Sequence, residues 1–218
     1  MLGVVVALVL LASAVLSVWI LAQHEILWCR IPANTFAFVV TGTKDPSDSS
    51  LISGGGIVEV LHEVPGKKLN RSSLNKFEWT FEDGHEEHGL LHFILGVQWI
   101  GFARSLRINH IRDRCFRRDD IKGIHSQSND CKAKFIYYSR EQAVEVNGAN
   151  TLGSYRLDLP FNLLYAVIAP VRAILGMADS NAVLTMMISE KVSNVVGTQE
   201  PEYFLQGDAA IKDFSSML

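Results

Sequence analysis

Leu2-Gly3-Val4-Val5-Val6-Ala7-Leu8-Val9-Leu10-Leu11-Ala12-Ser13-Ala14-Val15-Leu16-Ser17-Val18-Trp19-Ile20-Leu21-Ala22 is a run of twenty-one residues without a charge. Only Gly3, Ser13 and Ser17 are not clearly apolar, and thirteen of the residues are Leu, Val or Ile. A helix of this length rises roughly 31 Å, matching the ~30 Å hydrocarbon core of a bilayer. At roughly −0.3 to −0.6 kcal/mol for each Leu, Val or Ile, insertion is favoured by several kcal/mol. Residues 1–22, with Leu2, Val9, Leu16, Trp19 and Leu21 among them, are therefore expected to form a transmembrane anchor, and Trp19 and Trp28 an interfacial aromatic belt. The competing reading is a cleaved signal peptide with Ala12-Ser13-Ala14 as its small-residue site. It lacks a basic n-region, and the apolar run continues eight residues past that site. A buried core helix would need apolar cover on every side. No Lys or Arg precedes the run and Arg30 is the first after it, so the positive-inside rule favours a single-pass protein with a cytoplasmic domain.

The remaining sequence has the composition of a folded protein. The 218-residue chain is 48% apolar and 20% charged, which excludes wholesale disorder and fibrous repeats. Twenty Lys and Arg against 23 Asp and Glu exclude a generally basic nucleic-acid binder. Three Cys cannot make a disulfide framework at this size.

Strand signals come first and helix signals last. Thr35–Thr41 is β-rich and ends at a Gly-Thr-Lys-Asp-Pro turn cluster. A Ser-, Asp- and Gly-containing loop, 47–56, precedes a second strand at 56–61, and Pro65-Gly66 is a turn. Residues 93–102 are apolar, with Gly96 and Gly101 as punctuation. Residues 106–112 alternate apolar and polar, as a half-buried strand does. Phe135–Tyr138 is a further strand, and Tyr155–Ile168 opens with alternation. After Ala169-Pro170 the period changes. Pro170 can open a short helix to Met177. Ser180 or Asp179 caps a longer one to about Val196, stopped by Gly197. Its apolar positions Val183, Met186, Met187, Val192, Val195 and Val196 recur at three- and four-residue steps. A third helical piece begins near Glu200, with Pro201 in its first turn. The expectation is α+β: an N-terminal transmembrane helix, then a mainly antiparallel sheet with C-terminal helices.

Candidate chemistry is sparse. His85-Glu86-Glu87-His88 superficially resembles a zincin motif but has its two His three residues apart instead of four. His85, His88 and His92 would share a helix face and could form a surface zinc site. Gly84 and Gly89 bracket them, so the preferred reading is a solvated acidic loop and no metal or cofactor is assigned. Ser73-Leu74-Asn75-Lys76 fits Ser-x-x-Lys, but neither partner motif follows. Gly54-Gly55-Gly56 precedes a strand, the wrong order for a phosphate cradle. Cys115 and Cys131 lie sixteen apart and read as structural thiols. Cys29, seven residues past the apolar run, is either an acylation site or a plain interfacial Cys, and the plain reading is preferred.

Charge is segregated mid-chain. Residues 77–92 hold Glu78, Glu82, Asp83, Glu86 and Glu87 with no Lys or Arg, whereas 104–122 hold seven basic residues against three acids. Solvated faces are the simplest reading. Alternatively, Glu82, Glu86 and Glu87 on one copy meet Arg112, Arg114, Arg117 and Arg118 on another in a head-to-tail contact. A third possibility is attraction of the basic run to anionic lipid.

A resemblance follows from ordered segments. The apolar run followed by Ile31-Pro32-Ala33-Asn34-Thr35-Phe36-Ala37-Phe38-Val39-Val40-Thr41-Gly42 resembles the start of the SPFH, or band 7, family (stomatin, prohibitin, flotillin). Gly96-Val97-Gln98-Trp99-Ile100-Gly101-Phe102, followed by a charged alternating strand, resembles a segment of divergent bacterial members. Residues 157–173 resemble the strand leading into an Asn-Pro helix start, with Ala169-Pro170 in place of Asn-Pro. Ile188–Thr198 resembles the helix that ends in Gly-Thr before a short acidic helix. The resemblance implies a membrane scaffold that self-associates and organises lipids or partner membrane proteins, often membrane proteases. It implies no catalytic residues and no nucleic acid. Residues 23–30 are then a juxtamembrane segment, 31–207 the SPFH-like domain and 208–218 a tail. Such proteins usually continue into a long coiled coil, and this sequence reaches Leu218 without one, the expectation for a truncated or short member. The alternatives are a membrane-anchored hydrolase using Cys115 or the His85/His88 region, and an exported domain after signal cleavage.

Overall fold

The computed structural model describes residues 2–41, 57–71, 78–119, 123–175 and 180–206. The Gly54-Gly55-Gly56 run, the Ser73–Lys76 stretch and the 208–218 tail lie outside them. The fold mixes helices with antiparallel pairs of strands, as α+β requires. The chain divides into two compact units. The first comprises Met1–Ile111, Lys132–Ser139 and Ala166–Gly176, and the second Arg112–Cys131, Arg140–Tyr165 and Met177–Leu218.

The first unit opens with α1 (Leu2–Gln23), a helix long and apolar enough to cross a membrane. Its most apolar window has mean hydropathy 2.9 and none of it is buried inside the protein. The two hydroxyls in the run are satisfied within the helix: Ser13 Oγ donates to the Leu10 carbonyl and Ser17 Oγ to that of Ser13, each at 2.8 Å. Neither hydroxyl therefore needs water.

The core of this unit is built on β2 (Thr35–Thr41), buried at every position but the last. β3 (Ile57–His62) pairs antiparallel along one edge, with a bulge opposite Val39/Val40. β10 (Ile136–Tyr137) and β7 (Arg104–Leu106) pair in succession along the other. Side-chain alternation gives β2 two different faces. Ala37 and Val39 pack with Cys29, Ile31, Leu61, Ile100 and Leu106. Phe36 and Phe38 belong to an aromatic face: Phe36 lies 5.8 Å from Phe81, and Phe81 meets His62 and Tyr138 edge-on at 5.0 and 5.3 Å. Phe81 comes from the hairpin of β4 (Lys67–Arg71) and β5 (Trp79–Asp83), whose outer positions are charged. The Phe81 N–H donates to the Ile168 carbonyl just before α3 (Pro170–Leu175), so Pro170 opens a helix docked beside β5.

In the second unit β11 (Ser139–Asn150) pairs with β12 (Arg156–Ala166). Strict alternation in β12 turns Leu157, Leu159, Phe161 and Leu163 toward a core of Val144, Val146, Ala149, Val192 and Val196. The last two residues belong to α4 (Ser180–Gly197), followed by a 3₁₀ turn at Pro201–Gln206. Val183, Met186 and Met187, read as part of the buried stripe, are exposed. The inward row is Ile188, Val192 and Val196, at steps of four that match the β11 valines. The buried Gln142 of β11 donates to Thr185 Oγ1 at 2.6 Å and to the Asn181 carbonyl at 3.0 Å, fixing the register of helix on strand. β8 (Asn109–Asp119) and β9 (Gly123–Ala133) form a long two-stranded ribbon, where the sequence reading had one strand over 106–112.

Candidate functional site

Two features of the first unit concentrate chemistry, and each starts from a short local element. One follows α1. The chain turns within Gln23–Leu27, where Glu25 and Leu27 take left-handed φ values of 55° and 67°. The Glu25 carboxylate accepts from Lys134 Nζ at 2.5 Å. β1 (Trp28–Cys29) then pairs antiparallel with β6 (Gln98–Trp99), and the Ile100 N–H donates to the Leu27 carbonyl at 2.7 Å. Trp28 and Trp99 are cross-strand partners with ring centroids 4.7 Å apart, and Phe102 lies 5.5 Å from Trp99. Trp99, Phe102 and Ile26 are exposed. An aromatic cluster thus sits at the end of the apolar helix, joined to the sheet by backbone bonds. Trp19 and Trp28 were legible in the sequence. Trp99 was not, because no spacing links it to Trp28.

Cys29 lies inside this joint and not on its surface. Its side chain is fully buried against Ile31, Ala37 and Ile100, and burial, reinforced by Glu25, pushes its thiol up to about 12. The thiol is a protonated core group, and the folded protein does not present it to an acyl donor.

The other feature is a histidine–carboxylate cluster. β3 ends at His62, the pleat turns its ring into the aromatic face, and Glu63 follows it. Gln98 of β6 donates from Nε2 to the His62 carbonyl at 2.7 Å and to Glu63 Oε2 at 3.3 Å, orienting the carboxylate. After β5 the chain runs through a loop, 84–89, into α2 (Leu90–Leu95). Gly96, left-handed at φ 64°, ends α2 and donates to the His92 carbonyl. The loop delivers Glu86 to His62 Nε2. His88 and His92 stack at 3.9 Å between ring centroids, and His92 Nε2 lies 3.4 Å from Glu63 Oε2. One ligand atom each from Glu63, His88 and His92 falls within 4.8 Å of the others.

The electrostatics are consistent with that grouping. Burial pushes the Glu86 carboxyl up, but the bond from His62 and the neighbouring His62, His88 and His92 rings outweigh it, so it sits below its ordinary value. Burial and then His92 hold His88 below the ordinary histidine value, partly offset by Glu63 and Glu86.

His85, grouped with His88 and His92 in the sequence reading, is exposed and outside this grouping. α2 starts only at Leu90, so His85 and His88 belong to the preceding loop, as Gly84 and Gly89 indicate, and the alternative of one shared helix face does not form. Glu63 takes the third position from 25 residues upstream of His88. The signal for it was a His-Glu pair at the end of the strand signal that begins at Gly56. Among the acids read as a contact patch, Glu82 accepts from Asn70 and lies 3.9 Å from Lys68, Glu86 engages His62, and Glu87 is exposed. Arg112, Arg114, Arg117 and Arg118 lie on β8, where their side chains, like that of Cys115, are outside the described set. Comparison with protein-family models, curated proteins and solved structures finds no match.

Proposed function

We propose that this is a single-pass membrane protein whose folded part acts as an SPFH-like scaffold, self-associating at the bilayer and organising lipids or partner membrane proteins, a membrane protease among them. The observation that carries the reading is α1. It offers no buried side chain across its apolar window, yet it enters the fold through a tight turn and a hydrogen-bonded strand. Leaving thirteen Leu, Val and Ile side chains in water forgoes about 1.5–3 kcal/mol apiece. A bilayer removes that cost. Trp19, Trp28, Trp99 and Phe102 then lie at the boundary where aromatic rings are favoured. Arg30 favours a cytoplasmic fold.

Self-association follows from tethering. Copies confined to a membrane meet at high effective concentration, so a weak lateral contact suffices. Leu90, Phe93 and Ile94 on α2 are exposed at 73%, 87% and 59%, apolar area of the kind that marks an interaction surface. Exposed Glu87 supplies one sign of charge for a contact with the β8 arginines of a neighbour. The scaffold needs no catalytic residue and no cofactor. Crosslinking the full-length protein in its native membrane tests it. Species above the monomer are expected, and Phe93→Asp reduces them. Monomer alone overturns the scaffold reading.

A further inference from the structure

We infer that Glu63, His88 and His92 form a binding site for a divalent transition-metal ion of the zinc class, which clamps α2 and the loop before it onto the end of β3. Two imidazoles and one carboxylate, leaving one position for water, are a donor set suited to tetrahedral zinc. Ligand atoms around such an ion stand roughly 3.3 Å apart, from metal–ligand bonds of about 2.0–2.1 Å. The His92–Glu63 pair is already at 3.4 Å, and the whole trio lies within 4.8 Å, a gap that side-chain rotation closes.

The surroundings suit a metal. Two stacked imidazoles and one carboxylate converge, with one ligand atom of each within 4.8 Å of the others. His92 Nδ1 is buried and has no hydrogen-bond partner among the described residues. Gln98 Nε2 donates to Glu63 Oε2 at 3.3 Å, an outer hydrogen bond of the kind that orients metal-binding carboxylates. Glu63 and the neighbouring Glu86 together carry the charge that balances a dication.

The fold gives the ion a task. α2 has six residues, none of them buried, and an isolated helix that short is not stable in water. His92 is its polar link to the sheet, through Glu63. A bound ion replaces that single 3.4 Å approach with coordination from β3, the loop and α2 at once. It thereby fixes the apolar surface of Leu90, Phe93 and Ile94. The site is independent of the scaffold reading and stands whether or not copies associate.

The test is zinc and cobalt(II) titration of tag-free, full-length protein in detergent, after chelation and dialysis. One equivalent per chain is expected, with the visible absorption of tetrahedral cobalt. Glu63→Ala, His88→Ala and His92→Ala each weaken binding by roughly tenfold or more, whereas His85→Ala leaves it unchanged. Circular dichroism of each variant confirms that the fold persists. Binding that is absent, or that survives all three substitutions, or that is lost equally with His85→Ala, overturns the site.

Discussion

Cys29 and Glu59 show burial acting on single ionisable groups. A cysteine seven residues beyond an apolar run looks accessible in sequence, but β1 pairs with β6 and seals its thiol among Ile31, Ala37 and Ile100. In a Cys115→Ser background, maleimide on the native protein is expected to label the exposed Cys131 and spare Cys29. Equal labelling of both would contradict the buried joint. Glu59 sits half-buried on β3, and desolvation raises its carboxyl above the ordinary value, with Arg104 only partly opposing it. The folded state therefore holds that proton more tightly than the unfolded chain. The folding free energy it favours is fully present below the ordinary carboxylate pKa and is lost as pH rises through the folded value. Glu59→Gln should melt higher than the parent at pH 7 and coincide with it near pH 4. A lower melting temperature at pH 7 would mean that the Arg104 pair outweighs burial.

At the scale of elements, α4 and the β11–β12 pair stand on one apolar seam. Val192 and Val196 are fully buried against β11, so Val192→Ala removes packed volume that the helix cannot easily refill. A loss of about 2 kcal/mol or more is expected in urea unfolding, with Met186→Ala near neutral because Met186 is 64% exposed. Comparable losses would show that the helix presents its other face. Elements with one clear period were legible. β2, β12, α3, α4 and the turn at Pro65-Gly66 lie where apolar alternation, Pro170 and Gly197 put them. The hairpin of β4 and β5 was not, because β4 is mostly polar, with Lys68 and Asn70 facing solvent, and Leu69, Trp79 and Phe81 alone give the apolar signal of the inner side. Nor was α2. Its Leu-Leu-His-Phe-Ile-Leu sequence has no polar face, and only the left-handed Gly96 marks where the helix stops and β6 starts. Part of the metal cluster was legible for a related reason. His88 and His92 stand out by spacing, whereas Glu63 joins them only through the pairing of β3 with β2 and the return of the loop after β5.

For the molecule as a whole, the account rests on α1 crossing a bilayer and staying joined to the first unit. The joint is short, hydrogen-bonded and flanked by Trp28 and Trp99, so α1 is tied closely to the strand that follows it. Loss of the Lys134–Glu25 pair should loosen that coupling without releasing the protein. Lys134→Ala is expected to stay in the membrane fraction while the Gln23–Leu27 turn becomes more susceptible to proteolysis. Unchanged cleavage would show that the backbone bonds alone hold it. The anchor itself is tested most directly by alkaline carbonate extraction of native membranes, with mass analysis of the mature N-terminus. The prediction is an intact chain, Leu2–Ala22 included, that remains in the pellet and is released only by detergent. An intact chain freed into the supernatant, or a mature protein beginning near Val15, would contradict it.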